Sequence, residues 1–192
     1  MMPAMSIQMA LSVGEPVKNA IVAAIIGTGD VVQATVNTIT QTLATTLKDT
    51  GKAGTSVTDA IADVVGGAVR GTVQIRADLG HAAQGIMVGV LRGTKEAGVE
   101  VMDTARHTAH IAIRDTAVVG GDLEAAATGL VQGAIAGAKE LGVSAEDAAA
   151  AATSGALKGA GEVSSNALTM VRKAFTKTVK AKEPEPALLS NN

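Results

Sequence analysis

Residues 78–99 read DLGHAAQGIMVGVLRGTKEAGV, and residues 122–143 read DLEAAATGLVQGAIAGAKELGV. The two stretches lie 44 residues apart and align without a gap, including three glycines spaced four residues apart in each. Half of that offset also aligns, because GAIAGA at residues 133–138 matches GALKGA at residues 155–160. The pattern predicts a chain built from a tandem unit of 22 residues.

Eight units follow one another without a change of register. They begin at Ser12, Ala34, Ser56, Asp78, Glu100, Asp122, Ser144 and Asn166, and the last one ends at Ala187. We expect residues 12–187 to form one domain, after an N-terminal extension of residues 1–11. Residues 182–192 overlap the end of the eighth unit, and we expect them to form a mobile, proline-containing tail. Positions within a unit are numbered from 1 to 22 below.

The unit has the pattern of an amphipathic helix. At about 100° per residue, the apolar positions 2, 6, 9, 10, 13, 14, 17 and 20 fall on one side of a helix, and the charged positions 4, 7, 11, 15 and 18 fall opposite them. Position 14 is aliphatic in all eight units, and position 15 is usually Lys or Arg. The chain is therefore predicted to be all-α.

Two arrangements of the helices fit this pattern. Ser56 and Ser144 are each followed three residues later by an acid, as in a capping box, and Gly54, Gly98 and Gly142 lie where a helix would end. These signals predict antiparallel helical hairpins with helices of about 18 residues, roughly 27 Å long. The absence of insertions over eight units favours the alternative of long continuous helices, because loops tolerate changes of length.

Composition limits both the packing and the partners. The chain has no Trp, Tyr or Cys and one Phe, but 22 Gly. Buried surfaces are therefore expected to form by close approach of small side chains. A net charge of −2 argues against nucleic acid as a partner. The chain has no cysteine, we identify no signal peptide, and the longest apolar run, residues 20–26, is short for a membrane span. We expect a cytoplasmic location.

The glycine rows are the main candidate site for helix packing. Each row forms one edge of the apolar side of a helix, where a neighbouring helix can approach closely. An exposed glycine inside a helix costs up to about 1 kcal/mol relative to alanine, so a row of glycines needs a compensating contact. The predicted helix-packing residues are Gly85, Gly89, Gly93, Gly129, Gly133 and Gly137.

The last unit offers a second candidate surface. Arg172, Lys173, Lys177 and Lys180 fall on one side of its helix, and they could contact an anionic surface. The alternative is an ordinary solvated face. Bulky apolar residues near the two ends of the chain, such as Ile26 and Phe175, could meet an apolar surface or could simply cap the stack of repeats.

Residues with catalytic chemistry are few. Asp103, His107 and His110 have a spacing that allows one helix to present them to a metal ion, although they lie on the polar side, where a solvated face is the expected structure. No base and acid are arranged around a Ser or Thr nucleophile, and no glycine segment has the ending of a phosphate loop. We therefore predict no enzyme activity, no metal, no cofactor and no small-molecule substrate.

In period alone, residues 12–187 resemble the 22-residue helical repeats of exchangeable apolipoproteins, and the Ala/Thr/Lys-rich helices are similar to phasin-like and late-embryogenesis-type proteins. The resemblance implies surface coating or protection. The residue pattern itself favours a non-catalytic structural protein that self-associates through Gly/Ala-rich amphipathic helices into a homo-oligomer, filament or lattice. The alternative function is a peripheral coat on a membrane, lipid or storage-granule surface.

Overall fold

The computed structural model describes residues 13–53, 56–95 and 97–180. In these ranges every regular element is an α-helix, which confirms the predicted all-α class. The helices are α1 (Gly14–Thr28), α2 (Val31–Ala53), α3 (Val57–Gln74), α4 (Leu79–Lys95), α5 (Val101–Val118), α6 (Leu123–Leu141), α7 (Ala145–Val163) and α8 (Ser165–Lys180). The predicted N-terminal extension, residues 1–11, and the predicted tail, residues 182–192, lie outside the described residues.

One helix ends and the next begins near each unit boundary, so the alternative of long continuous helices is wrong. Helices α3 to α7 all begin at position 2, and the residue at position 1 accepts a hydrogen bond from a backbone N–H in the first turn. The acceptors are Ser56 Oγ (3.1 Å), Asp78 Oδ1 (2.8 Å), Glu100 Oε2 (2.6 Å), Asp122 Oδ1 (3.0 Å) and Ser144 Oγ (3.1 Å). Gly98 and Gly142 lie at the predicted ends with φ of +70° and +71°, whereas Gly54 is outside the described residues.

Two helices depart from the 22-residue ruler. Helix α2 begins at Val31, three residues before its unit, because Ala34 has no side-chain acceptor and Asp30 Oδ1 caps Gln33 N instead, at 2.9 Å. Helix α8 begins one residue before Asn166, because Ser164 Oγ accepts from Ala167 N at 3.1 Å. Both starts follow the nearest capping side chain.

The helices form two rows. The most extensive contacts join helices that are two apart in sequence, namely α5 with α7, α4 with α6 and α2 with α4. Helices α2 and α4 run parallel, because Gly85, Gly89 and Gly93 meet Val32, Val36 and Thr40 in ascending order. Since connections of one to five residues join consecutive helices, neighbours in sequence form the predicted antiparallel hairpins. Odd-numbered helices therefore stack in one row and even-numbered helices in the other.

The core lies between these rows, as the amphipathic pattern predicts. Its largest fully buried side chains include Ile39, Ile86, Leu91, Ile113 and Leu130. In α7 the buried hydrophobic side chains are alanines only, so the core becomes thinner towards the C-terminal end of the stack. None of the helices in the described ranges combines the length and apolar character needed to cross a membrane.

Candidate helix-packing site

The six glycines predicted to pack helices lie in interfaces within the chain. Gly85, Gly89 and Gly93 of α4 face α2, and a Cβ atom at Gly89 would lie 2.9 Å from the Ile39 Cβ and 3.1 Å from the Val36 carbonyl oxygen. Real Cβ atoms are essentially never found closer than 3.0 Å to another heavy atom of this kind. Glycine at these positions therefore allows α4 to lie directly on the backbone of α2.

The second row repeats this arrangement one step further along the stack. Gly129, Gly133 and Gly137 of α6 face α4, and a Cβ at Gly133 would lie 2.5 Å from the Gln84 carbonyl oxygen. At Gly129 it would meet the carbonyl group of Gly80. All six glycines are buried, so they are occupied by contacts inside the chain and are not free to meet another copy.

Four further glycines pack in the same way and were not singled out from the sequence. Gly67 and Gly71 of α3 face α1, while Gly155 and Gly159 of α7 face the carbonyl groups of Arg106 and His110 in α5. The signal was present, because these glycines occupy positions 12 and 16 of their units, as Gly89, Gly93, Gly133 and Gly137 do. These two helices have no glycine at position 8, so their glycines do not form rows of three.

Helix α5 breaks the glycine pattern. At positions 8, 12 and 16 it carries His107, Ile111 and Asp115, and α3 and α5 contact each other far less extensively than α5 and α7 do. The Asp115 carboxylate occupies the interface, since a Cβ at Gly66 would lie 2.8 Å from its Oδ2. Burial raises the pKa of Asp115 above its ordinary value, and burial lowers the pKa of His107.

Charged side chains link α8 to α6, beside the apolar side chains by which α8 packs on the core. Lys173 and Lys177 stand at positions 8 and 12, and their Nζ atoms lie 3.6 Å and 3.0 Å from the Glu124 carboxylate. The hydrogen bond from Lys177 is the main cause that lowers the pKa of Glu124. Thus two of the four cations of the predicted basic face are paired inside the chain; Arg172 is exposed, and the side chain of Lys180 is outside the described part.

Ion pairs with the acid at position 19 also link helices two apart. Arg92, at position 15 of α4, donates to Glu140, at position 19 of α6, with nitrogen–oxygen distances of 2.7 and 2.9 Å. This hydrogen bond is the main cause that lowers the pKa of Glu140. Position 19 of α7 is Glu162, which lies 2.7 Å from His110 Nε2 and close enough to Arg114, at position 15 of α5, for its pKa to be lowered by both groups, chiefly by His110.

The suggested metal trio does not converge. Asp103 pairs with Arg106 at 2.6 Å, His107 Nε2 lies 3.4 Å from the Thr58 carbonyl oxygen, and His110 binds Glu162. Within the described ranges, no group of three His, Cys, Asp or Glu side chains is placed to hold a metal ion. Asp103 is instead paired within α5, whereas His107 and His110 make contacts with neighbouring helices of the odd row.

An open groove lies between α4, α6 and α8 and is lined by several polar side chains. Its polar lining includes Asp78, His81, Glu124, Gln132 and Lys177. Asp78 caps α4, and Glu124 is held by two lysines. Asp78 Oδ1 also lies 3.3 Å from His81 Nδ1, so the two acids of the groove are engaged in capping and in ion pairs.

No protein-family model and no curated protein sequence matches this chain. The geometry of its own surfaces therefore has to support any functional proposal.

Proposed function

We propose that this protein is a non-catalytic structural scaffold whose copies self-associate into an oligomer, filament or lattice. The observation that carries the proposal is the outward face of α1, which is exposed and mostly uncharged. Its uncharged residues are Pro16, Asn19, Ala20, Ala23, Ile26 and Gly27, and the exposed Glu15 at its edge is paired with Lys18 at 2.8 Å. A solvated helix face normally carries several charged residues, and a mostly uncharged exposed face is typical of an interaction surface.

The glycine rows bear on how association occurs. Because those rows are filled by helices of the same chain, a neighbouring copy has to use the ends of the stack. Within residues 13–180, α1 and α2 begin the two rows and α7 and α8 end them, so these outer helices are the surfaces on which we propose that a neighbouring copy docks. We infer that the protein acts in the cytoplasm, in keeping with a chain that has no cysteine.

The coat function has less support. Coating a lipid or granule surface requires several exposed bulky side chains. Ile26 is 70 % exposed, yet Ile21 and Val171 at the two ends of the described chain are 0 % exposed. The stack would have to open before these residues could meet such a surface. Two lysines of the basic face are also held by Glu124.

Light scattering after size-exclusion chromatography, with and without liposomes, tests the proposal. We expect the mass to rise above 19.0 kDa with protein concentration in the absence of lipid, and negative-stain microscopy to show ordered oligomers. A chain that stays monomeric without lipid at every concentration would contradict self-association. Flotation with liposomes, together with a helix content that rises only with lipid, would support the coat instead.

A further inference from the structure

We propose that the stack has a hinge between α3 and α5, so that the odd row opens and closes there while the α4/α6 contact of the even row acts as the pivot. The interface between α3 and α5 is called the seam below. This inference goes beyond the proposed self-association and does not depend on it, because every helix involved lies within residues 14–163 of a single chain.

The helix pairs on the two sides of the seam are held by close backbone contacts. On one side, a Cβ added at Gly67 of α3 would collide with the carbonyl group of Gly14 in α1. On the other side, a Cβ added at Gly155 of α7 would collide with the carbonyl group of Arg106 in α5. Such contacts leave no side chain between the two backbones that could give way. Helices α1 and α3 therefore form one firm pair, and α5 and α7 form another.

At the seam, the ends of side chains lie between the two backbones instead. A Cβ added at Gly66 of α3 would lie 2.8 Å from Asp115 Oδ2 of α5 and 3.2 Å from Arg70 Nη1. His107 Nε2 lies 3.4 Å from the Thr58 carbonyl oxygen, which is long for a hydrogen bond. The end of a side chain can rotate away, whereas the backbone of a helix cannot, so these contacts permit α3 and α5 to separate.

The extent of the contacts follows the same division. Helices α3 and α5 contact each other less extensively than α1 and α3 do, and far less extensively than α5 and α7 do. Packed helices are held together mainly by the apolar surface that they bury against each other. Among the neighbours of the odd row within the described residues, α3 and α5 are therefore the pair that separates most easily.

Ionisable groups at the seam lower the free energy needed to open it. The Asp115 side chain is 22 % exposed, and the Arg114 Nε atom, on the same helix, lies 3.6 Å from its Oδ1. Burial raises the pKa of Asp115 above its ordinary value, because the carboxylate loses contact with water. Opening the seam returns water to this carboxylate and to the partly buried His107 imidazole. This hydration offsets part of the packing that opening removes.

The even row stays in close contact beside the seam. Gly129 of α6 lies on the carbonyl group of Gly80 in α4, and Gly133 lies on the Gln84 carbonyl oxygen. A firm contact in one row beside a contact that can open in the other is the arrangement of a hinge. Opening the seam would bend the stack towards its even-row side, so the hinge changes the curvature of the molecule.

Pairs of spin-labelled cysteines test the hinge, because the chain has no native cysteine. Asp59→Cys with Asp103→Cys spans the seam, and Asp103→Cys with Asp147→Cys is the matched control across α5 and α7. All three residues are exposed and lie at position 4 of their units, so the labels should not disturb the fold. We expect double electron–electron resonance to give one narrow distance for the control pair. The seam pair should give a broader distribution with a second population at longer distance.

A third pair tests the pivot. His81→Cys with Gln132→Cys spans the α4/α6 contact at exposed residues, and we expect one narrow distance there. A seam pair as narrow as the α5/α7 pair would overturn the hinge. A broad distribution for the α4/α6 pair would overturn it as well, because the whole stack would then be loose. Labelled protein is diluted into an excess of unlabelled protein, so that distances between copies do not contribute. A failure of self-association would therefore leave the result on the hinge unchanged.

Discussion

Gly155 and Gly161 lie in the same helix but in opposite surroundings. A Cβ at Gly155 would collide with the backbone carbonyl group of Arg106, whereas one at Gly161 would meet nothing within 4 Å. Both residues are glycines inside α7, so both carry the same intrinsic cost of glycine in a helix. Only the contact with α5 distinguishes them.

Substituting each with alanine should therefore have effects of opposite sign. Gly161→Ala should raise the free energy of unfolding by up to about 1 kcal/mol, because alanine is the better helix former. Gly155→Ala should lower it by about 1–3 kcal/mol or more, because the colliding atoms belong to a backbone that cannot move aside. Urea denaturation followed by circular dichroism measures both. Equal effects of the two substitutions would mean that α7 does not lie on the α5 backbone.

The sequence predicts close helix packing at the glycines, but it does not identify the helix that packs against them. Glycines spaced by four predict that something approaches one edge of the helix closely. The sequence alone does not show whether that neighbour is the next helix, the helix after it, or another copy. The structure shows that Gly89 meets Ile39 and Val36, two helices back, because consecutive helices occupy different rows.

At the scale of the helices, the register of the glycine contacts changes along the stack. Gly67 meets the carbonyl of Gly14 and Gly89 meets that of Val36, both 53 residues earlier, whereas Gly133 meets the carbonyl of Gln84, 49 residues earlier. The difference of four residues is about one helical turn. The 22-residue period cannot predict this shift, because a helix moved by one turn presents nearly the same face to its neighbour.

The α3/α5 interface contains a contact that we expect to depend on pH. Burial holds the pKa of His107 below its ordinary 6.5, and the nearby charges of His110 and Arg114 lower it further, while Thr58 and Asp59 act in the opposite direction. A group whose pKa is lower in the folded state stabilises the fold above its unfolded-state pKa, and this contribution is lost as the pH falls through the folded-state value. Burial raises the pKa of Asp115 instead, so its contribution to stability changes with pH in the opposite direction. Its ordinary pKa of 3.8 lies in a more acidic range than that of His107.

We therefore expect stability to fall between about pH 7.5 and pH 5.5, as His107 becomes charged in the unfolded chain more readily than in the folded one. His107→Gln should show a smaller fall over the same range, because glutamine does not titrate. Urea midpoints of both proteins at the two pH values measure the difference. If the two proteins lose the same stability, another group is responsible for the pH dependence.

At the scale of the whole molecule, the two rows predict which deletions the chain can tolerate. Deleting residues 89–132 removes 44 residues, two units, and fuses Val88 at position 11 to Gly133 at position 12. The fused helix keeps Gly85, Gly133 and Gly137 at positions 8, 12 and 16, and it replaces α4 on the surface of α2. Helix α7 then follows in the odd row.

This shortened chain should stay helical and unfold cooperatively, because each helix of a repeat stack needs only its neighbours. The matched control deletes residues 89–130, so that two extra residues turn the second half of the fused helix by about 200° and direct its charged side inward. We expect the control to lose cooperative unfolding, measured by thermal circular dichroism. Similar behaviour of the two chains would mean that the 22-residue period does not govern packing.

Most of the architecture could be predicted from the sequence. The helical class, the breaks between units and the caps at Ser56 and Ser144 follow from local patterns, and the structure has all of them. The two-row order could not be predicted, because it depends on which helices meet after the chain has turned back. The starts of α2 and α8 were missed because a capping side chain just outside the unit outweighed the repeat.

The lysines of α8 make the contact at the C-terminal end of the even row sensitive to salt. Attraction between Lys177 and Glu124 is weakened by dissolved salt, and such exposed pairs contribute little even in dilute buffer, whereas glycine contacts with a backbone do not depend on ionic strength. As ionic strength rises, the contact between α8 and α6 is therefore expected to weaken slightly, while Ala167, Val171 and Ala174 keep α8 packed on the core. The repeats have similar sequences, but the helices joined by glycine contacts do not respond to ionic strength, whereas the contact of α8 with α6 does.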